Sequence, residues 1–262
     1  MYILIIIIII TDSLVCFLYL YYRNIVLGLL YGSIFYQLAT GDEQSCYSNR
    51  MALFFFGIMD QLMFHLDTVG IVLNERLLFY RERGAKAYGA FSYWFSLSIP
   101  ILVFNLVILP FQTILMYFMA GLRDGHFGNY FLILLLANYI GFFVHCLSAS
   151  ISSSTQVALS LNPAIILSNA FYAGFIVYIP NLAGFEGRWI PYIVFFRYAF
   201  QGLVLNEFKD NDELTRADGY LDSLGFNDNF SMGDCVAIVL AYVGFFAIAF
   251  YVALRFIDFE QR

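Results

Sequence analysis

The sequence predicts an all-α integral membrane protein, a bundle of six spanning helices. Three observations carry that prediction. Hydrophobic residues make up 61% of the 262 residues and charged residues only 12%, about half the charged share of an ordinary globular domain. With thirty Phe and twenty Tyr, a water-exposed surface could not be covered by polar groups, so lipid must cover part of it. Second, six apolar stretches reach the length of about 20 residues needed to cross hydrocarbon: 14–38, 51–73, 91–122, 129–151, 157–179 and 235–257. Third, they lack the alternating ten-residue pattern of a membrane β-barrel, and lipid leaves an open backbone without partners.

Residues 1–13 form an atypical apolar N-terminus, "MYILIIIIII" and its continuation, with neither the basic flank nor the small-residue site of a cleaved signal peptide. The domain proper is 14–262. Its connections are short: "ATGDEQSCYSNR" at 39–50, "RDGHFG" at 123–128 and "SSSTQ" at 152–156. The segment 180–233 is the one long stretch outside the spans. Nine of the nineteen acids lie between Glu186 and Asp234, a solvated acidic loop that points away from nucleic acid as a partner.

Charge also orients the chain. Arg76, Arg81, Arg83 and Lys86 crowd into "NERLLFYRERGAKAY" at 74–88. Basic residues are retained on the cytoplasmic side near span ends. The whole-chain tally is even, with six basic residues on each face, so the density of this cluster decides. The 74–88 loop and both termini are then cytoplasmic and 180–233 is outside. Asn229-Phe230-Ser231 is a glycosylation sequon on that outer side. Of the four cysteines, Cys16 and Cys146 sit in apolar runs, whereas Cys46 and Cys235 both fall outside and could form a disulfide.

The second span holds Asp60, Gln61, His65 and Asp67 in its middle. Ionisable groups at that depth cost several kcal/mol unless paired or hydrated. Asp60, Met63, Phe64 and Asp67 fall at helical spacing on one face. Two readings stand: a polar wall on a cavity, or internal pairing of Asp60 or Asp67 with His65, Asn105 or Arg23. Asn105, mid-way along the third span, reads as a helix–helix hydrogen bond. No Ser/His/Asp or metal-ligand arrangement stands out, and the histidines are scattered.

The order "GLLYGSIFYQL", "NERLLFYRERGAKAY", "SLSIPILVFNLVILP", "YFMAGL", "YAGFIVYIPNL", "RWIPYIVFFRYAFQGLVLNEF" and "ALRFIDFEQR" resembles the transmembrane half of the G subfamily of ABC transporters, the White and pleiotropic-drug-resistance group. The resemblance covers about residues 24–262. It implies an ABC-2 type domain that works as a homo- or heterodimer and exports lipids, sterols or amphipathic xenobiotics, at the plasma membrane. It also implies re-entrant outer helices after the fifth span, in which Arg197, Asn206 and Glu207 are structural. By resemblance, Met63 and Leu167 face a central substrate cavity from opposite sides, with Asp60 and Asp67 on the Met63 face. Phe175 and Ile176 stand where the family has an apolar plug. The loop with Glu75, Arg76, Arg81, Glu82, Arg83 and Lys86 would rest on a nucleotide-binding domain and relay its closure.

No G-x-x-x-x-G-K-[ST] phosphate loop occurs in the sequence. The chain itself is therefore expected to hold no cofactor and to hydrolyse no ATP. ATP–Mg belongs on a nucleotide-binding domain supplied in cis, if the sequence is a piece of a longer transporter, or in trans by a partner. The alternative expectation is an ATPase-free regulatory or dominant-negative partner of full-length relatives.

Overall fold

The computed structural model describes residues 2–38, 44–179, 185–209, 211, 214, 217–226 and 230–257. Among them it is all helix, with no strand. The helices are α1 (Tyr2–Ile34), α2 (Gln44–Met63), α3 (Thr68–Gly84), α4 (Ala90–Ala120) and α5 (Phe127–Ile151), then α6 (Thr155–Phe171), α7 (Phe185–Ile193), α8 (Phe195–Phe208), α9 (Ala217–Leu224) and α10 (Met232–Phe256). Four stretches among the described residues are long and apolar enough to cross a membrane: Ser45–Gly84, Ala90–Ala120, Phe127–Ile151 and Met232–Phe256. The protein is a multi-pass integral membrane protein.

Burial ranks these helices. In the most apolar part of α5, 78% of residues are buried inside the bundle, against 17% in α10. Helix α5 is thus the central post, and α10 lies against lipid. Two apolar cores surround α5. One gathers α2, α8 and the first half of α10 around Phe54, Tyr130, Phe196 and Phe200. The other gathers α3, the start of α4 and the end of α10 around Phe79, Phe142 and Leu254. The second core marks the basic end of the molecule, because it carries the 74–88 stretch.

Small residues set the closest approaches. On α1, Gly28 and Gly32 form a G-x-x-x-G face against α4: a Cβ on Gly32 would meet Met119 Sδ at 2.7 Å, and one on Gly28 would meet Gln112 Cα at 3.1 Å. Such small-residue faces let membrane helices pack backbone to backbone. On α5, a Cβ at Gly141 would lie 2.5 Å from the Leu62 carbonyl oxygen of α2.

The second apolar stretch differs from its expected form. Rather than one helix over 51–73, α2 ends at Met63 and α3 begins at Thr68. Between them the backbone tightens into i→i+3 bonds, Phe64 to Gln61 (3.4 Å), Leu66 to Met63 (3.3 Å) and Thr68 to His65 (3.1 Å), the pattern of a 3₁₀ turn inside a helix. The last turn of α2 lies there against α5 at Gly141, whose missing side chain leaves room for the Leu62 backbone. The fifth stretch also differs: α6 stops at Phe171, and Gly174, with φ +96°, turns the chain in the left-handed region that favours glycine.

The segment after α6 is built on α8, all fourteen residues of which are buried. Its far end is fixed by an ion pair, Arg50 Nε to Glu207 Oε1 at 3.0 Å, both side chains 2% exposed. The other Glu207 oxygen accepts from the Arg123 backbone N–H at 3.1 Å, and Asn206 donates to the His126 carbonyl at 3.2 Å. Arg197 is fully buried with its guanidinium 4.5 Å from the Tyr192 ring. Cys46 and Cys235 are not bridged: Cys46 Sγ accepts from Arg50 at 2.8 Å, while Cys235 packs beside Gly202. Asn229 lies outside the described residues; Ser231 of its sequon is the N-cap of α10, in a capping box with Asp234.

Gly141→Ala is expected to lower stability by about 1–3 kcal/mol through overpacking, seen as a fall in Tm in detergent. Gly70→Ala, with open space around its Cα, should not. For the ion pair, Glu207→Ala alone leaves a buried guanidinium without its carboxylate and should cost about 3–5 kcal/mol, whereas Arg50→Met with Glu207→Leu should recover most of it; thermal unfolding of the two variants beside the wild type distinguishes a stranded charge from lost packing.

Candidate functional site

The side chains singled out in the second stretch fall on two sides of the helix break. On the inner side runs a chain of buried polar groups. Asp60 Oδ2 accepts from Gln112 Nε2 of α4 at 2.6 Å and from Gln61 Nε2 at 3.2 Å. Gln61 Nε2 also reaches Gln112 Oε1 at 3.2 Å. Gln61 Oε1 accepts from Asn138 Nδ2 of α5 at 3.1 Å. His65 Nε2 lies 3.1 Å from Asn138 Oδ1 and 2.9 Å from Asn105 Nδ2 of α4. With that nitrogen protonated it donates to Asn138; with it bare it accepts from Asn105. The chain joins α2, α4 and α5, and Asn105 makes the interhelical contact expected of it. Asp60 pairs internally, with the amides of Gln112 and Gln61 rather than with His65, Asn105 or Arg23.

On the outer side of the break is an open cleft of about 430 Å³. Tyr19 and Arg23 of α1, Met63, Phe64, Leu66 and Asp67 at the break, and Leu159 of α6 line it. The break exposes backbone acceptors: Arg23 Nη1 donates to the Phe64 carbonyl at 3.1 Å and its guanidinium sits 4.3 Å from the Phe64 ring centroid. Irregular backbone at membrane depth is tolerated where it lines a cavity. Asp67 is exposed at the N-terminus of α3 without capping it. So Met63 and Asp67 share the cleft, while Asp60 turns inward. The α6 residue of the cleft is Leu159; Leu167 lies two turns further along α6, 45% exposed. Its position gave no sequence signal, because the cleft is defined by the break.

Phe175 and Ile176 part company. Phe175 stacks into an aromatic cluster, with ring centroids 4.9 Å from Phe55 and 6.0 Å from Phe200. Ile176 is 48% exposed. A second cleft of about 430 Å³ opens between α6, α7 and α10, lined by Asn169, Trp189, Tyr242 and neighbouring apolar side chains.

At the basic end, α3 turns two of its cations into the chain. Arg76 donates to the Ser152 carbonyl at 2.6 Å and Ser153 at 3.4 Å. Arg83 donates to the Leu254 and Arg255 carbonyls, each at 2.9 Å. Glu75 and Glu82 accept from the Tyr93 and Tyr88 hydroxyls at 3.2 and 2.6 Å. Burial, then the bond to Glu82, pushes the Tyr88 hydroxyl up to about 12. Arg81 and Lys86 are exposed, as are Leu77 and Leu78 at 58% and 53%. Helix α3 ends in a Schellman motif, Lys86 N–H to the Arg83 carbonyl at 3.0 Å and Ala87 N–H to Glu82 at 3.0 Å. Its left-handed position, φ +58°, is held by Lys86 and not by glycine.

These features define a class: a helical membrane domain with a broken span beside an open cleft and a charged helix at one end. The comparisons name it. Residues 6–208 match the family described as ABC-2 type transporter, and the chain belongs to that family. It is 27% identical over 281 residues to ABC transporter G family member 2 of Dictyostelium discoideum, covering 92% of this chain and 20% of that protein. It is 30% identical over 204 residues to the ABC multidrug transporter AFR2 of Cryptococcus neoformans var. grubii, covering 73% and 12%. With protein white of Drosophila melanogaster it shares 32% identity over 146 residues, covering 55% and 21%. The chain thus spans about a fifth or less of the length of these relatives.

A lysine in the left-handed region costs about 1–2 kcal/mol relative to glycine. Lys86→Gly is expected to leave Tm unchanged or raised, because glycine adopts the left-handed region without strain; thermal unfolding in detergent checks this.

Proposed function

We propose that the chain is the membrane domain of an ATP-driven exporter of lipids, sterols or amphipathic xenobiotics. It works as a homo- or heterodimer with nucleotide-binding domains supplied in cis or in trans, at the plasma membrane, with both termini cytoplasmic. Family membership supports the class, and one observation carries the cargo reading. The cleft at the α2–α3 break combines apolar walls (Met63, Phe64, Leu66, Leu159) with the exposed carboxylate of Asp67. Apolar surface binds the greasy part of a cargo by burial, and a carboxylate at membrane depth favours a positive head group over a negative one. Arg23, held on the Phe64 ring and carbonyl, leaves Asp67 as the acceptor on the cleft wall. Phe175, in its aromatic cluster, is an apolar constriction beyond the cleft; such constrictions gate by excluding water. Arg81, Lys86, Leu77 and Leu78 form the outward surface of α3 that meets the ATPase.

The test is export from proteoliposomes of the transporter assembly that contains this chain, with a cationic and a neutral fluorescent amphiphile. Asp67→Asn should weaken apparent affinity for the cation roughly tenfold, the scale of about 1.4 kcal/mol, with little change for the neutral probe. Equal effects on both probes, or none on either, would remove Asp67 from cargo recognition.

A further inference from the structure

We propose that the carboxyl-terminal turn of α10 is a positioning element for coupling, clamped to α3 by Arg83 and Tyr80, so that α3 displaces α10 together with α5. This rests on the reading of the chain as the membrane domain of an ATP-driven transporter. It adds a route by which movement at the basic end reaches the α7–α8 end.

The clamp is built from one face of α3. Arg76, Tyr80 and Arg83 stand at i, i+4 and i+7, and each donates to a carbonyl at the end of another helix. Arg76 takes Ser152 and Ser153 after α5. Tyr80 donates to the Ile257 carbonyl at 3.2 Å, and Arg83 holds Leu254 and Arg255. The last carbonyls of a helix have no partner of their own and carry the negative end of its dipole. A planar guanidinium bonded to two consecutive carbonyls fixes both position and orientation, which a lysine ammonium would not do.

Packing makes the joint stiff. Phe79 stacks on Tyr93 with centroids 4.5 Å apart. Val72, Phe79, Tyr80 and Leu254 are all buried in the one apolar core at this end. A close-packed joint of that kind transmits displacement instead of absorbing it. From there α10 runs to the other end, where the Tyr242 hydroxyl donates to the Ile193 carbonyl at the end of α7 and Cys235 packs beside Gly202 of α8. Between these anchors α10 turns Phe245 and Ile248 outward, 62% and 65% exposed, while its other face is held along its length, with Phe250 buried and the Ala247 carbonyl accepting from Trp94 Nε1 of α4 at 3.1 Å. The opposite face of α3, with Asn74, Leu77, Leu78 and Arg81, stays open.

The experiment places spin labels at Ala85 and Phe256, both exposed, in the complete transporter in nanodiscs. The distance is read by pulsed electron resonance without nucleotide and with ATP trapped, and cargo exported per ATP hydrolysed is read in parallel. The wild type should give one narrow distance that does not change between the two states. Arg83→Gln with Tyr80→Phe should broaden it, and cargo per ATP should fall about tenfold, the scale of a single allosteric coupling. Arg83→Lys should be intermediate, and Val103→Ala on the lipid face of α4 should match the wild type. A double variant that keeps both the narrow distance and the wild-type ratio overturns the proposal, as does a wild-type distance that changes when ATP is trapped. Tyr80→Phe alone, which keeps the ring, separates a lost clamp from a misfolded one. If the wild type itself exports nothing with ATP, the transporter reading fails, and the distance alone reports whether the clamp exists.

Discussion

Polar amides buried at membrane depth have no water to fall back on, so each must find its partner in another helix. Gln61, Gln112, Asn138, Asn105, Asp60 and His65 solve that problem among themselves. The solution requires α2, α4 and α5 to meet at one level, and Gly141 lets α5 come close enough. Beside that contact α2 ends at Met63, and the broken turn that follows lines the cleft. Network, break and cleft thus lie at one level, in a low-dielectric interior where an unpaired polar group is most costly.

The break also divides the bundle. One core lies on the α8 side of it and the other on the basic side, and α5 passes through both. At the α8 end the chain is held by charge: Arg50 with Glu207, and Glu207 with the Arg123 backbone. At the basic end it is held by arginines on helix-end carbonyls. A buried ion pair adds little net stability over well-packed apolar groups, yet it tolerates only one arrangement. The α8 end is therefore specified tightly, whereas the irregular stretch at residues 64–67 is held through side chains of other helices, Arg23 on the Phe64 carbonyl and Asn138 and Asn105 on His65.

Much of this was legible in the sequence, and what was not has a physical reason. Composition and stretch length are averages over many residues, so they identified an all-helical, multi-pass membrane protein, of which four stretches among the described residues are long and apolar enough to cross. Asn105 was legible as an interhelical contact because a lone amide in an apolar helix has few other options. The break was not: nothing between Asp60 and Thr68 is proline or glycine, and the glycine packed beside it, Gly141, is some eighty residues away in the chain. Phe175, Ile176 and Leu167 were singled out by family likeness alone. Within this chain α6 ends at Phe171, Phe175 packs in an aromatic cluster while Ile176 and Leu167 are exposed, and Leu159 is the α6 residue in the cleft.

The basic cluster shows the ambiguity most sharply. An arginine that caps a helix of its own chain and an arginine that meets another protein look identical in sequence. Their spacing on α3 separates them: Arg76 and Arg83 are seven residues apart on the inner face, with Arg81 on the open face and Lys86 beyond the helix end. Residue type alone does not mark that division: arginine, with its rigid fork, holds two carbonyls on the inner face, but the open side carries both Arg81 and Lys86. Lys86 also occupies a backbone position that glycine would fill at lower energy, and its side chain, like Leu77 and Leu78, is exposed. The inner face of α3 is thus committed to the ends of α5 and α10, while its outer face combines positive charge with exposed apolar side chains.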